Sequence, residues 1–158
     1  MATTKAIREA LRNVLQPTLG DQVGTWHLVD GFVPARKGQT GSVGSGSTTW
    51  EQQDNEWDLA STDLPVYIAT VNPDPEAAEA VVQDLGELAR QALVADNPTL
   101  GGVVGQINVT RMDFTTAEAD GGLLVHFITL QVSCSHMVPR FRTPTQPPAD
   151  ELVVEVSP

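Results

Sequence analysis

Two stretches of helical periodicity and five of strand character predict an α+β fold of two layers, helices on sheet. The clearest evidence is residues 74–135, which read as one long amphipathic helix, a Gly-containing break and a pair of strands. A second amphipathic stretch opens the chain. Size agrees, because 158 residues suit one domain that buries about 68–70% of the surface its unfolded chain exposes.

Residues 3–15 read as the first helix, with Thr4 as N-cap. Ile7, Ala10, Leu11, Val14 and Leu15 form its apolar stripe, while Lys5, Arg8, Glu9, Arg12 and Asn13 face out. Pro17 and Gly20 are expected to end it. Trp26–Val33 reads as a strand with Asp30-Gly31 as a bulge or turn, closed by Pro34. Gly38–Thr49 is almost wholly Gly, Ser, Thr and Gln, so a flexible loop over 38–49 is expected. Trp50–Leu59 is a poorly alternating strand, whereas Leu64–Val71 is apolar on both faces, as a central strand would be.

The long helix starts at Asp74 as N-cap with Pro75 in its first position. Ala78, Val81, Val82, Leu85, Leu88, Ala89, Ala92 and Leu93 share its apolar face, and Val81, Leu85 and Leu88 are expected to be buried against the sheet. The run Asp96-Asn97-Pro98-Thr99-Leu100-Gly101-Gly102 ends it. Val103–Phe114 and Gly122–Ser135 follow as strands, joined through Ala117–Gly122 with Asp120-Gly121 as turn signal. Pro139, Pro144, Pro147 and Pro148 mark residues 139–158 as an extended tail after a single domain over 1–138. Within that tail Leu152–Val156 has the character of a short strand, added to this subunit or to another.

The net charge is −11 and unevenly placed: +2 over residues 1–48, −10 over 49–100 and −3 over 101–158. That sign argues against a dedicated nucleic-acid binder, which needs cations against phosphate. It serves solubility, or marks a polar subunit whose acidic surface meets a less acidic one in a neighbour. One cysteine, Cys134, leaves no internal disulfide framework, and no leader or membrane-length apolar run is visible, so a soluble chain made in a reducing cytoplasm is expected.

No recognisable reaction chemistry emerges, and no catalytic residue, metal ligand or cofactor is assigned. Gly38, Gly41, Gly44 and Gly46 lack the Lys-Ser or Lys-Thr and following helix of a phosphate cradle, and Lys37 lies on the wrong side. His126 and Cys134 share a strand face but sit eight residues apart, roughly 26 Å along a straight strand, so with His136 they cannot make one tetrahedral site. A buried histidine and a small buried thiol are the better readings. Asp113, Ser135 and His136 form no nucleophile motif. Glu51, Asp54, Glu56 and Asp58 have the even spacing of one strand face: a solvated face, or carboxylates for acid–base work or weak divalent-cation binding.

The order of elements, with Asn72-Pro73 before the long helix, the segment Asp96–Gly102 after it and the strand Gly122–Val132, resembles the tail terminator (tail completion, or minor tail) proteins of long-tailed bacteriophages. In that family a "D-P-T-L-G-G" segment follows the helix; here Asn97 intervenes, and the Pro-rich tail is a departure. The resemblance implies a mixed, mainly antiparallel sheet of about 4–5 strands with two main helices on one face. It also implies a structural virion protein that forms a ring, typically a hexamer, on the head-proximal end of the tail tube. Such a ring stops tube growth and docks the neck or head-completion protein. Its expected partners are further copies of itself, the tail tube protein and the neck protein, with no membrane. DNA passes through the lumen unread, and an acidic ring would not retard it. Arg8, Arg12, Arg36 and Lys37 on one side and Glu51, Asp54, Glu56 and Asp58 on the other are the expected subunit interface. The alternatives are another ring component of tail or neck, or a small acidic enzyme or ligand-binding domain.

Overall fold

The computed structural model describes residues 3–34 and 38–140. Two helices, α1 (Thr4–Leu19) and α2 (Pro75–Gln91), lie on one face of a six-stranded mixed sheet. The strands are β1 (Val23–His27), β2 (Gln39–Val43), β3 (Ser47–Gln52), β4 (Trp57–Thr70), β5 (Gln106–Glu118) and β6 (Leu124–Pro139). Their order is β1-β2-β4-β6-β5, with β3 also on β4; β1–β2 is the parallel pair and the others are antiparallel. The fold class is the expected α+β, with one strand more than expected.

Helix α1 starts from Thr3, one residue before the expected cap, whose hydroxyl accepts from the Ala6 amide at 3.1 Å. It runs on through exposed Pro17 for two more residues, although the ring removes one amide bond and crowds the carbonyl four residues back, so the expected stop falls at Gly20 alone. Gly20, at φ 53, stops it. Ile7, Leu11, Leu15 and Leu19 are buried at the expected spacing. Helix α2 starts as predicted: the Asp74 carboxylate accepts from the Glu76 amide at 3.1 Å and Pro75 opens the first turn. Its buried line is Ala78, Val82, Leu85, Gly86 and Ala89. Val81 is only half-buried and Leu88 is 41% exposed, which corrects the expectation for both. They fall on the flank of the helix, away from the Val82–Leu85–Ala89 stripe that meets the sheet. Gly86 lets α2 approach closely, since a Cβ there would stand 2.8 Å from Met112 Sδ and 3.1 Å from Ile128 Cδ1.

Strand β4 is central, as its two apolar faces predict. Its first half pairs with β3, its second with β2, and its whole length with β6. Leu64, Val66 and Ile68 join Ile128, Leu130, Val132 and Cys134 in the core beneath the helices. On the opposite face Ala69, Val125 and Phe127 form a smaller cluster. The crossover from β1 to β2 covers it: Phe32 stacks on Phe127 with ring centroids 4.6 Å apart.

The flexible loop expected over 38–49 is instead β2 and the start of β3. Its small residues are needed by packing. Gly41 lies beside Trp26 across the parallel pair, and a Cβ would meet the indole at 2.5 Å. The Ser42 hydroxyl, fully buried, donates to the Gly31 carbonyl at 2.7 Å. Between the strands Gly44–Gly46 makes a kink; the Gly44 amide donates to Pro65 O at 2.8 Å, and Gly46, at φ 63, runs against the Asp63 carbonyl, where any Cβ would overlap. The strand expected at Trp26–Val33 likewise shifts to Val23–His27, and the remainder becomes the crossover. Trp50–Leu59 is not one strand but a hairpin whose turn separates β3 from β4. The extended tail and the strand character of Leu152–Val156 lie outside the described residues.

Candidate functional site

The residues weighed for chemistry are dispersed or sealed. His126 is buried, its Nδ1 2.7 Å from the Thr116 hydroxyl and its ring stacked near Phe114. Cys134 is buried further along the same strand face, and burial, with a smaller contribution from Asp63, pushes its thiol up to about 12. His136 is half-buried two residues beyond. Among the described residues no three His, Cys, Asp or Glu side chains stand together as metal ligands, and no helix is long and apolar enough to cross a membrane.

Asp96–Gly102 has a defined geometry. After α2 the helix continues as a wider turn over Ala92–Asp96, and the Asn97 side-chain amide donates to the Ala92 carbonyl at 2.9 Å. Thr99 then caps the next turn, its hydroxyl accepting from the Gly102 amide at 3.2 Å. Leu100 sits at φ 51, a left-handed conformation rare for leucine, and its side chain is buried in the core. Gly101 and Gly102 continue at φ 71 and 95, where glycine has no steric cost. The segment reverses the chain from α2 into β5, anchored by one leucine.

The expected interface residues fall in two groups. Arg8 Nη2 donates to the Val43 carbonyl at 2.8 Å, so this cation is engaged with the end of β2. Arg12 is half-buried on α1, and Arg36 and Lys37 lie outside the described residues. The four acids do not line one strand face; they surround the β3–β4 turn. Glu51 is the next-to-last residue of β3, Asp54 accepts from the Glu56 and Trp57 amides at 2.7 and 2.8 Å, and Asp58 pairs with Arg140 at 3.6 Å. Asp54 is therefore a turn residue as well as a charge.

A feature that composition did not reveal lies beside these acids. Strands β3, β4 and β6 extend past the helices as a three-stranded arm. Trp50, 64% exposed, stands on its helix-side face; Trp57 and Met137 are exposed on the other. A groove of about 280 Å³ runs between the arm and the start of α1, lined by Thr3, Thr48, Trp50, Ala60, His136 and Val138. Two tryptophans flanking a turn were the sequence signal, but exposure cannot be read from sequence. At the other end of β6, Leu123 and Leu124 are 45% and 52% exposed.

No family model and no curated protein matches the chain. Among solved structures the chain is similar to a chain of the "Virion of native gene transfer agent (GTA) particle", at 15% identity and a TM-score of 0.49, over 85% of this chain and 94% of that one.

Proposed function

We propose that this chain is a structural virion protein: a tail terminator that closes into a ring on the head-proximal end of a phage tail tube, stops tube growth and offers a docking surface to the neck. The observation that carries the reading is the Asp96–Gly102 segment, which resembles the family's motif and serves as a fixed reversal between α2 and the β5–β6 hairpin. The two-layer architecture with both helices on one face is the one the resemblance implies.

In this reading copies meet head to tail, the acidic 49–100 region of one beside the less acidic N-terminal third of the next. Exposed ion pairs are each worth about 0–1 kcal/mol, so charges set orientation and apolar contacts supply most of the affinity. The ring, typically hexameric, has the tube protein and the neck protein as partners and conducts DNA without specific binding. The test is charge reversal at Arg36 and Lys37, followed by mass measurement and a tail-length assay. The reversed protein should stay folded and lose rings or length control. Normal rings and normal tails would remove these charges from the interface, and a parent chain that forms no ring even when given tail tubes would end the terminator reading.

A further inference from the structure

We propose that the chain's own C-terminal segment Leu152–Val156 pairs as an antiparallel strand with the outer edge of β3 and completes the arm as a four-stranded sheet. The proposal is independent of the ring reading and starts from an edge. Strand β1 covers the outer side of β2 as far as Ser42. Beyond the Gly44–Gly46 kink β3 continues the same edge, with β4 as its one partner strand among the described residues. Its alternate N–H and C=O groups therefore point outward without a ladder. Edges left to water are usually guarded, and β5 is: a bulge at Thr110 breaks its ladder and Arg111 follows. Strand β3 has no such guard. Ser47–Gln52 contains no lysine, proline or bulge, runs in unbroken register and holds Trp50 64% exposed. An edge of this kind invites a further strand.

The course of the chain supplies one. Arg140, the last described residue, is fixed at the tip of the arm: its amide donates to the Glu56 carbonyl at 2.8 Å and its guanidinium meets Asp58 at 3.6 Å. The row Gln52–Asp58–Val138 places β3 two strand spacings from β6, about 10 Å. Residues 141–151, a spacer with Pro144, Pro147 and Pro148, are long enough to span about 34 Å at ~3.1 Å per residue, ample for passing round the β3–β4 turn. A chain that reverses there runs opposite to β6 and hence antiparallel to β3, whereas along β5 it would have to pair in parallel. Leu152, Val154 and Val156 alternate, so they belong on the face of Trp50. On that face one register keeps carboxylates apart: Val153 opposite Glu51, Val154 opposite Trp50 and Glu155 opposite Thr49. A slip of two residues either way sets Glu151 or Glu155 opposite Glu51. Both segments are acidic, so the ladder and the indole hold the contact and charge opposes it.

The test uses the full chain, diluted until sedimentation shows single chains. Thr49→Cys/Glu155→Cys, with Cys134 sealed in the core, should close a disulfide within one chain under mild oxidation. Closure should be at least ten times faster than for Asn108→Cys/Glu155→Cys, which asks the same of the β5 edge. Hydrogen exchange gives a second readout on the same chain. Val154→Pro removes a donor from the proposed ladder and lies outside the helices and the six strands. It should speed exchange of alternate β3 amides at least tenfold and leave the core amides of β4 and β6 as they are in the parent. Equal closure rates for the two cysteine pairs would overturn the proposal, as would β3 exchange unmoved by Val154→Pro. Disulfides formed between chains in place of within one would overturn it too, and would give the edge to a neighbour's tail.

Discussion

Cys134 and Asp30 show how single residues report on packing. Because burial raises the Cys134 thiol to about 12, it stays protonated and shielded at neutral pH. A disulfide reagent should label it only at the rate of unfolding, and labelling of the native chain within minutes would place it elsewhere. The linkage has a definite sign. An unfolded thiol ionises near pH 8.5 while the folded one holds its proton, so this group lowers stability progressively from there to about pH 12. Asp30 works on the acid side. The Ser45 backbone amide, at 2.6 Å, and then the Ser45 hydroxyl hold its carboxyl below the usual carboxylate range, with Arg8 adding to the effect. A depressed folded value means stability that is present above the unfolded carboxylate range and lost as pH falls through the folded one. Asp30→Asn should therefore lower the urea midpoint at pH 7 and differ less from the parent at pH 3. An undiminished difference at pH 3 would show that charge is not what holds the crossover to the kink.

At the scale of elements, α2 against the sheet is the joint to test. Leu85 is 1% exposed beneath the helix, and Leu85→Ala should cost about 2–5 kcal/mol. Leu88→Ala, on the exposed flank, should cost far less; equal losses in a thermal melt would contradict the orientation described. Periodicity made both helices legible, because burial repeats along a helix. It did not separate Leu88 from Leu85, because the two are adjacent on the wheel and only the sheet decides which is covered. The long central strand was legible from two apolar faces. The Gly-rich strand β2 was not, since its composition reflects the bulk of Trp26 and a crossover passing beneath it. Acidic residues were visible at the candidate surface, but their wrapping around a turn, and the bare arm beside them, depend on where the helices stop.

The whole molecule is acidic, with described cations spread singly: Lys5 pairs weakly with Glu9 at 3.9 Å, Arg111 with Asp113 at 2.7 Å and Arg140 with Asp58. No described surface gathers cations and aromatic side chains into a platform for bases. The free protein should not retain duplex or single-stranded DNA near physiological salt. Sub-micromolar retention in a filter assay would contradict the passive conduit proposed above.

The ladder between β4 and β6 joins residues 57–70 to residues 126–139. That pairing governs how the chain is made as well as how it stands. Until Pro139 has left the ribosome, β4 lacks the partner that runs its whole length, and the apolar faces of α1 and α2 have only part of a sheet to rest on. Folding must therefore wait for the last strand, and the long loop it closes sets a pace on the order of milliseconds to seconds. During that wait β4, apolar on both faces, is the segment most in need of a chaperone. A nascent chain stalled with residue 120 at the exit should be open to protease throughout, and release of the last strand should protect it in a single step.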